Sequence, residues 1–372
     1  MRPLQGVLVL DFSTLLPGPL ATLILAEAGA EVLKVERPPR GEDMRQGQPK
    51  WGETSVNFAL LNRGKKAIAL DLKDPAEQRR LRPLLERADV LVEQFRPGVM
   101  ARLGLDYERA SQLNPGIIYC SITGYGQTGP KRNVAGHDLN YIGDAGLLAL
   151  SMGDLGRPVL PPALVADIGG GAYPAVINIL LALQERARTG RGRHLDVSMA
   201  ENLFPWMFWA FGSFVASGIE PGNGTELLTG GSPRFHLYPT RDGKLVAAAP
   251  LEQKFWEEFC ELIGLDADLR DDRRDPQRTA MRCAEIIAKD TAETWRARFA
   301  GRDCCCSIVA TIGEALKDPH FHARGLFDHA LANGSGKRIP ALPMPVASAF
   351  RGSPDEARAA PQVGADNERY LG

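Results

Sequence analysis

An imidazole and a carboxylate in two short strings are the groups of this sequence best suited to chemistry. The first string is Gly136-His137-Asp138, and the second runs from Val165 to Gly171 and contains Asp167 shortly before three glycines. His and Asp side chains can both transfer protons when their pKa lies near the working pH. One group of each kind in a single site could remove a proton from a carbon and return it. The pair therefore indicates acid–base chemistry, provided that the fold brings His137 and Asp167 together.

Each of these residues also has a structural interpretation. Asp is a favoured helix N-cap, whose loss costs about 1 kcal/mol, and a helix start would lower the pKa of Asp167 and keep it ionised. The glycines at 169–171 each disfavour a helix by about 1 kcal/mol relative to Ala, which a protein tolerates where a group must approach the backbone closely. Alone, His137 would more often be a core histidine, and Glu252 a solvated glutamate at a helix start.

Composition narrows the class of protein. The 372 residues allow two domains, and a formal net charge of -1 gives no overall field that would attract nucleic acid or an anionic membrane. We predict no signal peptide, and a buried helix over the apolar stretch 203–216, which is too short to span a bilayer. The six cysteines lack zinc-site spacing, so we expect a cytoplasmic protein with reduced thiols and no metal. Cysteines 304–306 are predicted to form a buried strand.

Strands and helices alternate in the first half of the chain, which predicts a doubly wound parallel α/β sheet. Predicted strands cover 6–12, 31–35, 66–72, 89–94 and 117–123, with helices at 20–28 and 74–87. A hairpin turn at Asp242-Gly243 and an amphipathic helix over 253–264 indicate a smaller α+β domain. We assign residues 1–200 to the large domain, completed by 326–372, which should pack back across it. Residues 201–224 are a linker helix and 225–325 the small domain.

Basic residues recur just after the predicted strands of the large domain. Ligands of open parallel sheets bind outside the carboxyl ends of the strands, so the set predicts a site for a multiply phosphorylated nucleotide, although each residue alone is more often a surface charge. The set is Arg37, Arg63, Lys65, Lys66, Lys73, Arg96 and Arg102. The glycine pattern at 124–129 is followed by Pro130-Lys131-Arg132 rather than by a helix, so we expect no nicotinamide or flavin.

Taken together, these strings resemble the family III CoA-transferase (CaiB/BaiF) superfamily and, within it, the α-methylacyl-CoA racemases. The resembling segments are 11–18, 30–38, 88–98, 122–130, 136–141, 164–171, 188–192 and 230–235. The resemblance implies a Rossmann-like large domain, a small α+β domain and two chains interlocked as a homodimer. It places the active site between the large domain of one chain and the small domain of the other.

Residue roles follow from the same resemblance. His137 and Asp167 match the two acid–base groups of the racemases, and Glu252 matches the glutamate that would orient His137. Coenzyme A would enter as part of the substrate, with no redox or metal cofactor. The implied CoA contacts are Arg37, Leu70, Asp71, Leu72, Lys73, Gln94, Phe95, Arg96, Arg102, Gly136, Asp138, Leu139, Asn140 and Tyr141.

The implied reaction is epimerisation of a 2-methylacyl-CoA at C2 by 1,1-proton transfer, with the amides of glycines 169–171 stabilising the enolate oxygen. An alternative is transfer of CoA between carboxylic acids, with Asp167 carrying the acyl group as a mixed anhydride. CoA-transferases of this superfamily generally lack the histidine, so His137 favours the racemase. A third interpretation is a catalytically silent CoA-binding subunit. Cysteines 304–306, Gln94 and Ala163 depart from the usual racemase pattern, which affects the acyl pocket more than the chemistry.

Overall fold

Residues 2–354, 356 and 358–372 of the chain are described in a computed structural model. The strands are β1 (Leu8–Asp11), β2 (Glu31–Glu36), β3 (Lys50–Trp51), β4 (Thr54–Ser55), β5 (Lys66–Ala69), β6 (Val90–Glu93), β7 (Ile118–Thr123), β8 (Gly153–Asp154), β9 (Arg157–Pro158), β10 (His194–Ser198), β11 (His236–Pro239), β12 (Leu245–Ala248), β13 (Cys306–Ile308), β14 (Ala330–Ala332) and β15 (Arg338–Pro340).

Helices connect most of these strands. They are α1 (Pro17–Glu27), α2 (Val56–Asn62), α3 (Pro75–Arg87), α4 (Val99–Leu103), α5 (Tyr107–Leu113), α6 (Asp138–Asp144), α7 (Tyr173–Thr189), α8 (Phe208–Ser217), α9 (Gln253–Ile263), α10 (Pro276–Ile287), α11 (Ala292–Phe299), α12 (Ile312–Ala315), α13 (Pro319–Ala323) and α14 (Asn367–Leu371). A π-helix, Ala166–Ala172, directly precedes α7.

The described residues divide into two compact units. The first lies within Met1–Ala145, Ala163–Pro205 and Pro319–Gly372, and the second comprises Gly146–Pro162 and Trp206–Asp318. Residues 146–162 therefore group with the second unit, whereas the sequence analysis assigned all of 1–200 to the large domain.

The first unit is built on a six-stranded sheet with the order β10-β7-β6-β1-β2-β5. All neighbouring strands are parallel, and the central ones are apolar because helices cover both faces of such a sheet. This is the Rossmann strand order, and it reverses between β1 and β6, where open α/β sheets bind ligands. The predicted parallel α/β fold is confirmed.

Local signals explain the elements near this point. Asp74 caps α3 by accepting a hydrogen bond from the Ala76 N–H (2.8 Å), and Pro75 occupies the first helical position, as predicted. Helix α1 begins at Pro17, earlier than predicted, and is buried on all sides. Gly18 permits the tight turn from β1, since a Cβ there would lie 2.1 Å from Cβ of Ser13.

Two cations of the predicted basic set hold the fold together. Lys65 is buried, and its Nζ donates to Asp11 Oδ2 (3.0 Å) and Thr22 Oγ1 (2.7 Å). Arg63 is buried against Glu27, with 3.0 Å between the guanidinium and carboxylate atoms. The prediction that Arg63 and Lys65 face a ligand is therefore wrong, because each is satisfied by a buried partner.

The C-terminal segment packs on the first unit. The carboxylate of Asp366 accepts from the Ala67 N–H (3.0 Å), and Oδ1 of Asn367 accepts from the Ala69 N–H (2.8 Å). Both amides belong to β5, the edge strand of the sheet. The segment thus covers an edge that would otherwise expose unpaired backbone groups.

The second unit contains the antiparallel sheet β11-β12-β13, packed by α9, α10 and α11 around the buried indoles of Trp256 and Trp295. The predicted turn at Asp242-Gly243 and the predicted helix α9 are confirmed. The predicted cysteine strand is wrong in part: Cys304 is buried, but Cys305 is exposed with a φ of 49°, and β13 begins only at Cys306.

The buried helix predicted over 203–216 is also wrong in the single chain. Residues Glu201–Met207 form a 3-10 helix that contains Pro205, and α8 follows it. Phe208 and Val215 of α8 are 71% and 67% exposed. Apolar composition alone therefore did not indicate burial within one chain.

Among the described residues, one stretch, Ala166–Thr189, is long and apolar enough to cross a membrane. Half of its most apolar window is buried inside the protein. A core helix passes the same test of length and composition, so this stretch is weak evidence for a membrane span.

Lys65→Met should lower the free energy of unfolding by about 3 kcal/mol, because it leaves the Asp11 carboxylate buried without its nearest cation. The matched control, Lys66→Met in the half-exposed neighbour, should change it by less than about 0.5 kcal/mol. Urea unfolding measures both. Adding Asp11→Asn to the Lys65→Met variant should restore part of the loss; a further, additive loss would contradict the buried-charge explanation.

Candidate active site

A cavity of about 500 Å³ lies at the carboxyl ends of β1, β6, β7 and β10 in the first unit. This is the position where open parallel sheets bind ligands. Its lining residues come from the end of β7, from the loops that follow these strands, from the starts of α1 and α6, and from the π-helix. They are Thr14, Leu15, Pro17, Gln94, Phe95, Arg96, Pro97, Ile122, Thr123, Gly124, Tyr125, Arg132, Val134, Ala135, Gly136, His137, Asn140, Tyr141, Asp167 and Met199.

His137 immediately precedes α6 and is exposed. Its backbone N–H donates to Oδ1 of Asn140 (3.0 Å), and its carbonyl accepts from the Asn140 N–H (2.8 Å). These bonds fix the backbone of His137 at the helix start. The imidazole is thus positioned at the cavity wall.

Asp167 lies within the π-helix and lines the same cavity. The prediction that Asp167 is a helix N-cap is wrong. Asp167 is the second residue of the π-helix, and Val165, the residue before that helix, already has helical φ and ψ angles. The backbone N–H of Asp167 donates to Oδ1 of Asp138 (3.0 Å). Asp138 directly follows His137, so this bond joins the two strings that carry the predicted acid–base pair.

The pKa of Asp167 is raised to about 6, chiefly by burial and then by the Asp138 carboxylate, while His137 opposes the shift. The sequence predicts a lowered pKa for Asp167, because a helix start favours the ionised carboxylate. That expectation is wrong, because Asp167 is half-buried beside a second carboxylate rather than at a free helix end.

Close packing explains the glycine run. A Cβ on Gly170 would lie 2.2 Å from the carbonyl oxygen of Met199, and one on Gly171 would lie 3.1 Å from Cβ of Pro17. The close packing of the π-helix against the end of β10 therefore requires glycine at 170, while a side chain at 171 would force Met199 or Pro17 to shift. A π-helical N–H bonds to the carbonyl five residues earlier, which engages the amides of Gly170 and Gly171. This pairing leaves the amides of Gly170 and Gly171 unavailable to an enolate oxygen. The expected role of the Gly169 amide stays a prediction.

The loops after β1 and β6 are joined beside the cavity. Oε1 of Gln94 accepts from the Gly18 N–H at the first turn of α1 (3.1 Å). Across the cavity, the Tyr141 hydroxyl donates to the Gly136 carbonyl (2.5 Å), and the Tyr125 ring packs edge-on against Tyr141 with centroids 5.2 Å apart. Tyr125 is not among the predicted site residues, although its place in the glycine string after β7 was a usable signal.

Six of the expected CoA contacts line this cavity. They are Gln94, Phe95, Arg96, Gly136, Asn140 and Tyr141. The other eight do not line it: Arg37, Leu70, Asp71, Leu72, Lys73, Arg102, Asp138 and Leu139. Arg37, Lys73 and Arg102 are exposed. The side chain of Leu70 is buried in the core, so a contact there would use the backbone.

Glu252 belongs to the second unit, where it precedes α9. Its backbone carbonyl accepts from the N–H groups of Phe255 and Trp256 (both 3.0 Å), and its exposed side chain makes no capping hydrogen bond. The carboxylate is therefore not used to start its own helix. Its expected role toward His137 remains a prediction.

Comparison with known proteins assigns the chain to a family. A family model for CoA-transferase family III matches residues 4–367. The chain belongs to this family. The α-methylacyl-CoA racemase of Mus musculus is 36% identical to it over 371 residues, which cover 97% of this chain and 90% of the relative. The succinate–glutarate CoA-transferase of Agrobacterium fabrum is 33% identical over 363 residues, with 92% and 89% covered.

Solved structures of similar fold agree with this placement. A CAIB/BAIF family protein from Brucella suis has a TM-score of 0.81 and 28% identity, with 99% of this chain and 98% of that chain covered. Rv3272 from Mycobacterium tuberculosis has a TM-score of 0.81 and 27% identity, with 100% and 99% covered. The family and its fold are thus established, and its relatives include both racemases and CoA-transferases.

In this family member, Asp138→Asn should lower the pKa of Asp167 from about 6, because it removes the neighbouring negative charge but keeps an Oδ1 acceptor for the Asp167 N–H. Carboxyl ¹³C NMR titration measures the shift. The matched control Asp144→Asn changes a carboxylate paired with Lys131 outside the cavity and should leave Asp167 unaltered. An unchanged midpoint in Asp138→Asn would show that the two carboxylates do not interact.

Gly170→Ala should reduce the free energy of unfolding by about 3 kcal/mol, since the new methyl group would meet the Met199 backbone. In the control, Gly313→Ala within α12, a Cβ meets nothing within 4 Å, and stability should rise by up to about 1 kcal/mol. Thermal and urea unfolding test both variants. Equal stability of the wild type and Gly170→Ala would contradict the packing explanation.

Proposed function

We propose that this protein epimerises 2-methylacyl-CoA thioesters at C2 by 1,1-proton transfer through an enolate. The supporting observation is that His137 and Asp167 line one cavity at the point where the strand order reverses. Acid–base catalysis at both faces of a planar carbon needs two groups that can each hold or release a proton. An imidazole and a carboxyl group meet this requirement.

In the proposed mechanism, one of the two groups removes the C2 proton, and the electron pair of the broken C–H bond moves into the enolate. The other group then donates its proton to C2 from the opposite face, which inverts the configuration. Asp167 acts on one face and His137 on the other. The reverse reaction exchanges their roles, so each group serves once as base and once as acid.

The electrostatics of Asp167 support proton transfer. A pKa of about 6 is close enough to a neutral working pH for the carboxyl group to release its proton and also to take one up. A carboxyl group used only as a nucleophile would be favoured by a lower pKa, at which it stays ionised.

We propose that coenzyme A is the part of the substrate by which the protein binds it. Arg96 lines the cavity and its guanidinium lies near Tyr141, where it could pair with a phosphate or hold the pantetheine arm in place. The exposed cations Arg37, Lys73 and Arg102 are proposed to contact the phosphates of the nucleotide. No resident metal or redox cofactor is part of this proposal.

We further propose a homodimer, interlocked as in the resemblance, in which Glu252 of the partner subunit orients His137. Apolar faces on each unit support an assembly: Ile177 and Leu181 of α7 are exposed in the first unit, and Phe208 and Val215 of α8 in the second. Exposed apolar patches of this kind mark interaction surfaces. The six cysteines form no disulfides, which supports a cytoplasmic location.

CoA transfer between carboxylic acids is the second candidate. It is favoured by the similarity to succinate–glutarate CoA-transferase and by the accessible carboxyl group of Asp167. In this reaction the Asp167 carboxylate attacks the thioester carbonyl, CoA thiolate leaves, and an acyl-aspartyl anhydride forms. His137 has no required role in it.

The epimer of 2-methylacyl-CoA whose C2 proton Asp167 removes should lose that proton to solvent in D₂O and racemise. Both rates should fall as the pH drops below about 6, because Asp167 then becomes protonated and can no longer act as the base. His137→Ala should slow epimerisation about a thousandfold. His322→Ala, an exposed histidine outside the cavity, should have no effect. Proton NMR and chiral chromatography follow the two rates.

The CoA-transferase alternative predicts the opposite pattern. His137→Ala would keep most of its activity toward a carboxylate acceptor, and hydroxylamine would trap the acyl group on Asp167. Transfer of CoA without C2 exchange in the wild type would contradict the racemase proposal.

A further inference from the structure

Glu93 is a buried carboxyl group for which the proposed mechanism has no use. It ends β6 at the reversal of the strand order and is 3% exposed. Among the described residues, no Lys or Arg contributes to the shift of its pKa, which burial raises to about 7. Burying a carboxyl group without a neighbouring cation costs free energy of folding. We therefore expect Glu93 to have a role that explains its place in the core.

The hydrogen bonds of Glu93 indicate what this role is. Oε2 of Glu93 accepts from the backbone N–H of Phe95 (2.8 Å). Phe95 belongs to the loop Gln94–Pro97, all of which lines the cavity. The other side of this loop is held by the bond from the Gly18 N–H to Gln94. Glu93 at the end of β6 therefore holds the loop through the Phe95 N–H, while Gln94 joins the loop to α1.

The groups that face Glu93 come from the neighbouring strands. Ser121 of β7 lies directly opposite Glu93 in the strand register, and its hydroxyl lowers the pKa of Glu93. Oγ of Ser121 lies 3.0 Å from Nε2 of His194. Asp196 of β10 raises the pKa of Glu93, and Glu93 in turn raises the pKa values of Tyr119 and Cys120.

We propose that Glu93 is a positioning residue for the loop Gln94–Pro97, and that its ionised form gives the site its full affinity for a CoA thioester. A carboxylate accepts a stronger hydrogen bond than a neutral carboxyl group or an amide. The ionised form therefore holds the Phe95 N–H more firmly and keeps Phe95 and Arg96 in place. This inference rests on the proposed binding of CoA in the cavity.

Ionisation of Glu93 lowers the stability of the folded chain. The pKa of Glu93 is higher in the folded chain than its ordinary value of 4.5, so the folded state holds this proton more tightly than the unfolded state. Folding stability therefore falls as the pH rises toward about 7, and the loss is complete above it. Glu93→Gln, which cannot ionise, should melt at a higher temperature than the wild type at pH 8.5 and at nearly the same temperature at pH 4.

Isothermal titration with free CoA from pH 5.5 to 8.5 tests the proposal. At pH 8.5 Glu93→Gln should bind CoA about fivefold more weakly than the wild type, and at pH 5.5 the two should bind equally. The control Glu86→Gln alters an exposed glutamate of α3 paired with Arg82 and should match the wild type throughout. The CoA phosphate and Asp167 titrate in all three proteins. Their effect on affinity is therefore removed when each variant is compared with the wild type at the same pH.

Weaker binding together with a higher melting temperature in Glu93→Gln at pH 8.5 would support a positioning role, since a merely structural residue would lower both affinity and stability. Equal affinity at pH 8.5 would overturn the inference while leaving the proposed function in place. Absence of CoA binding in the wild type at every pH would instead overturn the proposed function and this inference with it. Should Glu93→Gln fail to fold, Ser121→Ala serves as the second test. It removes the hydroxyl that lowers the pKa of Glu93, so it should move the pH midpoint of CoA affinity upward. An unmoved midpoint would overturn the proposal.

Discussion

The hydrogen bond from the backbone N–H of Asp167 to Oδ1 of Asp138, 3.0 Å long, connects segments that lie 29 residues apart. One of its partners is an acid–base candidate itself, and the other is the direct neighbour of His137. The π-helix that carries Asp167 packs closely against Met199 and Pro17 through glycines. The hydrogen bond places a second carboxylate beside Asp167. Burial is the main cause that raises the pKa of Asp167 to about 6, and the Asp138 carboxylate adds to the shift.

The order of the strands creates the cavity that His137 and Asp167 line. Parallel strands end on the same edge of the sheet, and the reversal between β1 and β6 separates the loops that follow them. Those loops are held by buried polar groups rather than by apolar packing alone: Gln94 bonds to the start of α1, and Glu93 bonds to Phe95. Beneath them, Lys65 neutralises Asp11 at the end of β1. The cavity is therefore a property of the sheet, and its precise lining depends on hydrogen bonds to loop backbone.

Sequence patterns predicted the parts of this structure that depend on local physics. Asp74 and Pro75 marked the start of α3, and runs of buried apolar residues marked the central strands. Patterns failed where the partner was distant in sequence. Lys65 resembled a ligand-facing cation because its partner Asp11 lies 54 positions away. The pKa of Asp167 was predicted in the wrong direction because neither its burial nor its contact with Asp138 is visible in a helix-capping pattern. The family resemblance correctly named the class of protein, but similarity to both racemases and transferases does not choose between two reactions that share a carboxyl group.

The central claim is that His137 and Asp167 act on opposite faces of one carbon. A crystal structure with a bound, non-hydrolysable 2-methylacyl-CoA analogue tests it directly. We expect C2 of the analogue to lie about 3 to 3.5 Å from both an imidazole nitrogen of His137 and a carboxylate oxygen of Asp167, on opposite sides of the carbon. A thioester bound in another cavity, or one whose carbonyl carbon rather than C2 faces Asp167 with His137 turned away, would contradict the account.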